Sequence, residues 1–149
     1  MKLFVIAEGR IKEREMRAVA NDYLSRLSRY VKCDEIETKD AAGLVKAIPD
    51  GAFVVALEVN GERISSSELS TRLERWGARG KGHVAFVIGG AEGIPSALSA
   101  KADVRLSLST FTFPHRLARV MLFEQLYRSM TLLATEVMPK LADLTGEDA

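Results

Sequence analysis

The sequence predicts one α/β domain built on a mostly parallel sheet, and three observations carry that prediction. Three short, nearly continuous apolar runs, LFVIA (3–7), AFVVALE (52–58) and HVAFVIG (83–89), read as strands buried on both faces. Segments with helical spacing of apolar residues alternate with them, which is the pattern of strand–helix–strand units. The chain has 149 residues, so one domain is the default, and that length buries a substantial core without a metal or disulfide.

Taken in order, LFVIA (3–7) is a buried strand. Residues 13–31 follow with Met16, Val19, Ala20, Tyr23, Leu24, Leu27 and Tyr30 at helical spacing. CDEIETK (33–39) alternates weakly, as a strand nearer a sheet edge does. A short helix over 41–48 must stop at Pro49. AFVVALE (52–58) is the strongest buried strand, and Asn60-Gly61 reads as a turn after it. A serine of 65–67 caps the next helix, with Ser65 and Glu68 spaced for a capping box. Leu69, Leu73 and Trp76 form its inner face, and it ends near Gly77 or Gly80. HVAFVIG (83–89) is the next strand, Pro95 opens a short helix to about 101, and DVRLSLS (103–109) is the last strand. Pro114 opens a long final helix to about residue 133. The small, acidic tail from about residue 138 reads as frayed.

Composition narrows the function. The net charge is +1, so any nucleic-acid contact must come from a local patch. Cys33 is the single cysteine, so an intrachain disulfide is excluded and a reducing compartment fits. Glu8 breaks the first apolar run too soon for a signal peptide, and AFVVAL (52–57) is far too short to span a bilayer. A cytoplasmic protein with no membrane partner and no metal centre is expected.

Three stretches could carry chemistry. In VIGGAEGIP (87–95) a buried strand runs into Gly89, Gly90 and Gly93, then a helix. Glycines at a strand's C-terminal end let a ligand approach the backbone, and in open α/β sheets ligands bind at that edge. Neither the G-x-G-x-x-G dinucleotide fingerprint nor a phosphate loop ending in G-K-[ST] is present. The plain alternative for this stretch is a glycine-rich turn.

In LSTFTFPHRLARV (108–120) the residues before Pro114 are held extended. Ser109, Thr110 and Thr112 offer hydroxyls there, and Phe111 and Phe113 offer flat apolar surface, a mix suited to a purine or another ring. His115 by itself reads as a helix-start histidine, but Arg116, Arg119 and Arg128 nearby point to more than that. In the last helix, Leu117, Val120, Met121, Leu122, Phe123, Leu126, Tyr127, Met130, Leu132 and Leu133 wrap most of the circumference. Such a helix is covered on more than one side, by a second subunit or by the rest of its own chain.

Together these stretches resemble one family. MKLFVIAEG (1–9), VALEVNGERISS (55–66), FVIGGAEG (86–93) and LSLSTFTFPHRLARVMLFEQLYR (106–128) are similar to the RlmH (YbeA-type) methyltransferases of large-subunit ribosomal RNA. The combination of I-G-G-x-x-G with T-F-P-H-x-x-x-R-V and E-Q-x-Y-R carries the resemblance, which runs from residue 1 to about residue 130. It implies the SPOUT fold, with a C-terminal trefoil knot, and a homodimer. It implies S-adenosylmethionine as cofactor and methylation of N3 of a pseudouridine in large-subunit rRNA on the assembled ribosome. By motif, Leu57, Gly89 and the run Leu108, Ser109, Thr110, Phe111, Thr112 and Phe113 match cofactor-contacting positions. His115, Arg119, Glu124, Tyr127 and Arg128 match the motif around the catalytic cleft. His115 and Arg128 are the catalytic candidates, with His115 handling the N3 proton and Arg128 the uracil anion or a phosphate. Arg116 and Arg119 are the candidates for RNA contact.

One departure sets a second reading beside this one. Members commonly end in a tyrosine-histidine-basic tripeptide, whereas this tail reads ATEVMPKLADLTGEDA. The second reading is a catalytically reduced ribosome- or cofactor-binding protein on the same scaffold.

Overall fold

The structure, a computed structural model, describes residues 1–137. Five strands, β1 (Lys2–Glu8), β2 (Lys32–Thr38), β3 (Phe53–Arg63), β4 (His83–Ile88) and β5 (Val104–Ser107), form one sheet. Its order is β2-β1-β4-β3-β5, and every neighbouring pair is parallel. The weakly alternating segment is indeed at an edge, as β2. The helices are α1 (Arg14–Leu27), α2 (Ala41–Ala47), α3 (Ser66–Arg79), α4 (Ser96–Lys101) and α5 (His115–Leu132), and a π turn over Leu133–Val137 continues α5.

The continuous apolar runs follow from a sheet covered on both faces. Along β1, Leu3, Val5 and Ala7 enter the larger core, with Leu27 of α1, Leu73 and Trp76 of α3, and Phe123 and Leu126 of α5. Phe4 and Ile6 alternate with them into a smaller core, with Leu44 of α2 and Leu98 of α4. Trp76 stacks on Phe53 of the sheet, ring centroids 5.5 Å apart and 12° from parallel.

The capping box on α3 is present. Ser65 Oγ accepts the Glu68 N–H at 3.1 Å, and the Glu68 carboxylate accepts the Ser65 N–H at 3.4 Å. Asn60-Gly61 is not the turn that the sequence suggests. Both residues lie within β3, which bulges so that Leu57 and Glu62 pair with the same residue, Leu106 of β5. Gly61 lies flat against that strand: a Cβ there would stand 2.7 Å from the Arg105 carbonyl carbon and the Leu106 nitrogen. The residue must be glycine because backbone occupies the space of a side chain.

The apolar circumference of α5 is absorbed largely within the chain. Val120, Leu122, Phe123 and Leu126 are buried in the larger core, between α1 and α3. Ser70 of α3 donates to the Ser129 carbonyl at 2.8 Å, and Tyr127 packs beside Tyr23 and Tyr30. Of the two covers the sequence allows, the chain itself supplies most. The expectation of a frayed tail concerns residues 138–149, which lie outside the described residues.

Candidate active site

The C-terminal ends of β3, β4 and β5 open into one cleft of about 830 Å³, a volume that suits a nucleoside-sized ligand. Leu57, Glu58 and Asn60 of β3 form one wall. Ile88 and the loop Gly89–Ile94 form another, and Leu108, Ser109, Phe111, Thr112, Phe113, Pro114 and His115 form a third. Of the eight positions expected to contact a cofactor, seven line this cleft. Thr110 is the exception, exposed and off the wall.

Each loop is shaped by its own backbone. A Cβ on Gly89 would fall inside the Gly93 carbonyl group and the Ile94 nitrogen, so Gly89 is glycine because its own loop folds back over it. That corrects the idea that a ligand takes the space. Gly93, at φ +78°, provides the left-handed residue that closes the loop, and its N–H donates to the Gly90 carbonyl at 2.9 Å. In the other loop, Ser109 Oγ accepts the Phe111 N–H at 3.0 Å and its carbonyl accepts from the Ser107 hydroxyl at 2.9 Å. This folding holds Phe111 outward at 75% exposure.

Two cleft groups went unread in the sequence. Glu58 accepts from the Ser99 hydroxyl at 2.8 Å, which fixes a carboxylate on the wall. Arg105 also lines the wall and has no ion-pair partner among the described residues. The signal for Glu58 was its place just after Leu57 at the end of a buried strand. Arg105 gave none, because outward residues of an edge strand are ordinarily charged.

The arginines separate. Arg119 is fully buried. Its guanidinium donates to Glu35 at 3.0 Å, to Glu37 at 2.5 Å and to the Gly9 carbonyl at 3.0 Å. Arg17 closes the cluster with bonds to Glu35 at 2.6 and 2.9 Å and to Glu37 at 3.1 Å. Burial alone would raise the Glu35 carboxyl, but hydrogen bonds and charge from Arg17 and Arg119 outweigh it and hold the group below its ordinary range. With both terminal nitrogens bonded inside the chain and its surface covered, Arg119 is not placed to touch RNA, although its buried Nε has no partner among the described residues. It ties α5 to the ends of β1 and β2.

His115 and Arg119 are four residues apart and share a helix face, so this anchor sits one turn below His115. Arg116 pairs with Glu13 at 2.7 Å and stays partly exposed. Arg128 is bound to Glu124 at 2.5 and 2.9 Å, is exposed, and does not line the cleft. It stands thirteen residues beyond His115 on one helix, roughly 20 Å along the axis. The chain therefore does not bring His115 and Arg128 to one centre. Glu124 and Tyr127 lie with Arg128, away from the cleft.

Among the described residues, no helix is long and apolar enough to cross a membrane, and no group of three or more His, Cys, Asp or Glu is placed to hold a metal.

Residues 1–137 match the profile of a family described as predicted SPOUT methyltransferases. The chain is 52% identical over 141 residues to ribosomal RNA large subunit methyltransferase H of Sorangium cellulosum, covering 91% of this chain and 97% of the relative. It is 41% identical over 155 residues to the protein of the same name from Acetivibrio thermocellus, covering 91% and 98%. Among solved structures it is similar to a probable methylase family protein from Haemophilus influenzae. That match has a TM-score of 0.60 and 10% identity, over 90% of this chain and 68% of the other. A protein from a study of 2-OH methylation of C/U34 on tRNA matches at a TM-score of 0.53 and 15% identity, over 87% and 97%. At such identities the structural likeness concerns the fold.

Proposed function

Since this chain belongs to the SPOUT methyltransferase family, we propose that it is an S-adenosylmethionine-dependent methyltransferase of large-subunit ribosomal RNA, acting on N3 of a pseudouridine. The observation that carries this reading is the cleft, where seven of the eight cofactor positions implied by motif converge from three strand ends. The relatives bear on the choice between the two readings of the sequence: those at 52% and 41% identity are named as methyltransferases, which favours the enzyme over a non-catalytic binder.

The lining fits the cofactor. Leu57, Ile88, Leu108 and Phe113 offer apolar surface for an adenine ring, while Ser109 and Thr112 offer hydroxyls. Glu58, held by Ser99, sets negative charge beside a ligand that carries a sulfonium and an ammonium. Bound there, S-adenosylmethionine supplies an electrophilic methyl group on a good leaving group. The protein's part is alignment and proton handling. His115 lines the cleft on an anchored helix turn and accepts the N3 proton through a basic ring nitrogen.

The partners follow from the same reading. The homodimer rests on family membership and on exposed Phe111 and Leu117 beside the cleft. Arg128 serves a cleft only when a partner chain supplies it, and in that form it stays a catalytic candidate. Arg116 stays a candidate for RNA contact. The trefoil knot is part of the same proposal and rests on family membership. A cytoplasmic location accords with a ribosomal substrate.

The test is His115→Ala, studied by cofactor calorimetry beside single-turnover methylation of large subunits. Cofactor affinity should hold within a few-fold while transfer falls by about 10²-fold or more. Wild-type transfer by a folded His115→Ala protein would return His115 to a structural role.

A further inference from the structure

The stretch that joins β1 to the first residue of α1, residues 9–14, has the sequence Gly-Arg-Ile-Lys-Glu-Arg and leaves the sheet at the edge where the cleft opens. Its backbone is held from several sides. The Gly9 N–H donates to the Thr38 carbonyl at 2.8 Å, and the Gly9 carbonyl accepts from Arg119 at 3.0 Å. Ile11 is buried, and its N–H donates to Glu37 at 3.2 Å. Glu13 is paired with Arg116 at 2.7 Å. Gly9 adopts φ +87°, and a Cβ there would stand 3.9 Å from His115 Nε2. The segment thus lies directly against the histidine at the mouth of the cleft.

What it presents outward is charge. Ile11 points in, so Arg10 and Lys12 point out, roughly 7 Å apart at extended spacing. Arg14 is exposed at the first position of α1. None of the three has an ion-pair or hydrogen-bond partner among the described residues. Of the carboxylates in the same stretch, Glu13 is committed to Arg116 and Glu15 follows on α1. In a chain of net charge +1, three unpaired cations within five residues form a local concentration. Arg14 at a helix start runs against the helix dipole, which favours anions there. Its presence has no local gain in stability to explain it.

We infer that Arg10, Lys12 and Arg14 form a rigid phosphate-binding edge that docks the substrate RNA backbone and so sets the target base against His115. The inference rests on the proposed RNA methyltransferase reading and deepens it. Phosphate contacts fix register without reading sequence. Cations on a pinned backbone do this at lower ordering cost than cations on a free loop.

The test compares the wild-type protein with the triple variant Arg10→Gln, Lys12→Gln, Arg14→Gln. A control with Arg29→Gln, Lys46→Gln and Arg75→Gln, all exposed and elsewhere, carries the same charge change. Binding to large ribosomal subunits and to protein-free large-subunit rRNA is titrated against salt, with cofactor calorimetry and thermal unfolding alongside. The edge variant should keep wild-type cofactor affinity and melting temperature. Its affinity for both RNA probes should fall at least tenfold, and the log–log salt slope should shrink by about 2 to 3. The control should keep the wild-type slope.

An unchanged slope and affinity in the edge variant overturns the inference. So does a loss seen on subunits but not on protein-free rRNA, which would assign the edge to a ribosomal protein. The two readings fail separately. A wild-type protein that binds RNA but transfers no methyl group sinks the enzymatic reading and leaves the edge decided by the slopes. A wild-type protein that binds neither probe sinks both.

Discussion

Arg119→Met would decide whether the buried arginine of α5 is an anchor or an RNA contact. The variant keeps most of the side-chain volume and removes donors to Glu35, Glu37 and the Gly9 carbonyl, at 3.0, 2.5 and 3.0 Å. Hydrogen bonds to charged groups are worth about 1.5–3 kcal/mol each, and breaking a buried ion pair from one side costs about 3–5 kcal/mol. Arg17 still serves both carboxylates, at 2.6 Å to Glu35 and 3.1 Å to Glu37, so neither is stranded. The lower end applies, about 3 kcal/mol. For a chain of 149 residues that is a fall in melting temperature of roughly 6–12 °C. Urea and thermal unfolding followed by circular dichroism measure it. Gly9 and His115 lose their shared support, so cofactor affinity should fall as well, even below the melting transition. A melting temperature within 2 °C of wild type, with RNA affinity alone reduced, would refute the anchor.

Two further outcomes follow from the same geometry. Gly89→Ala places a methyl group where the Gly93 carbonyl lies, so the 89–94 loop must open. Cofactor affinity by calorimetry should drop at least tenfold with a stability loss of about 1–3 kcal/mol, and intact binding would contradict the folded-back loop. Glu35 carries the acid dependence. Its carboxyl is lowered on folding, so its contribution is full above the unfolded value of about 4.3 and is lost as pH falls through the lower folded value. Glu35→Gln should therefore be less stable than wild type at pH 7, and the gap between the two urea curves should narrow as pH falls below about 4.3. A gap that is unchanged between pH 7 and pH 3 would remove the carboxylate from the account.

Much of the fold was legible because its signals are local. LFVIA, AFVVALE and HVAFVIG read as buried strands, and the structure shows why: alternate residues enter two cores, so both faces are apolar. Ser65 and Glu68 announced a cap that depends only on three-residue spacing. The bulge of β3 was not legible, because Asn60-Gly61 has turn chemistry whether the chain turns or presses against another backbone. The cleft was half legible. Glycines and hydroxyls at strand ends pointed to it, but Glu58 and Arg105 have ordinary sequence surroundings. The arginines misled for a physical reason. Three arginines on one helix look alike in sequence, and only packing shows that Arg119 faces two carboxylates inside while Arg128 faces solvent a long way down the helix.

The central claim is that this cleft transfers methyl groups to large-subunit rRNA. The direct measurement incubates the purified protein with isotope-labelled S-adenosylmethionine and ribosomes from cells lacking the corresponding gene, then maps the rRNA by mass spectrometry. The account predicts one added methyl group per large subunit, on a pseudouridine base, and none on the small-subunit RNA. A folded, cofactor-binding protein that leaves the large-subunit rRNA unlabelled, or that labels only another RNA, would contradict it.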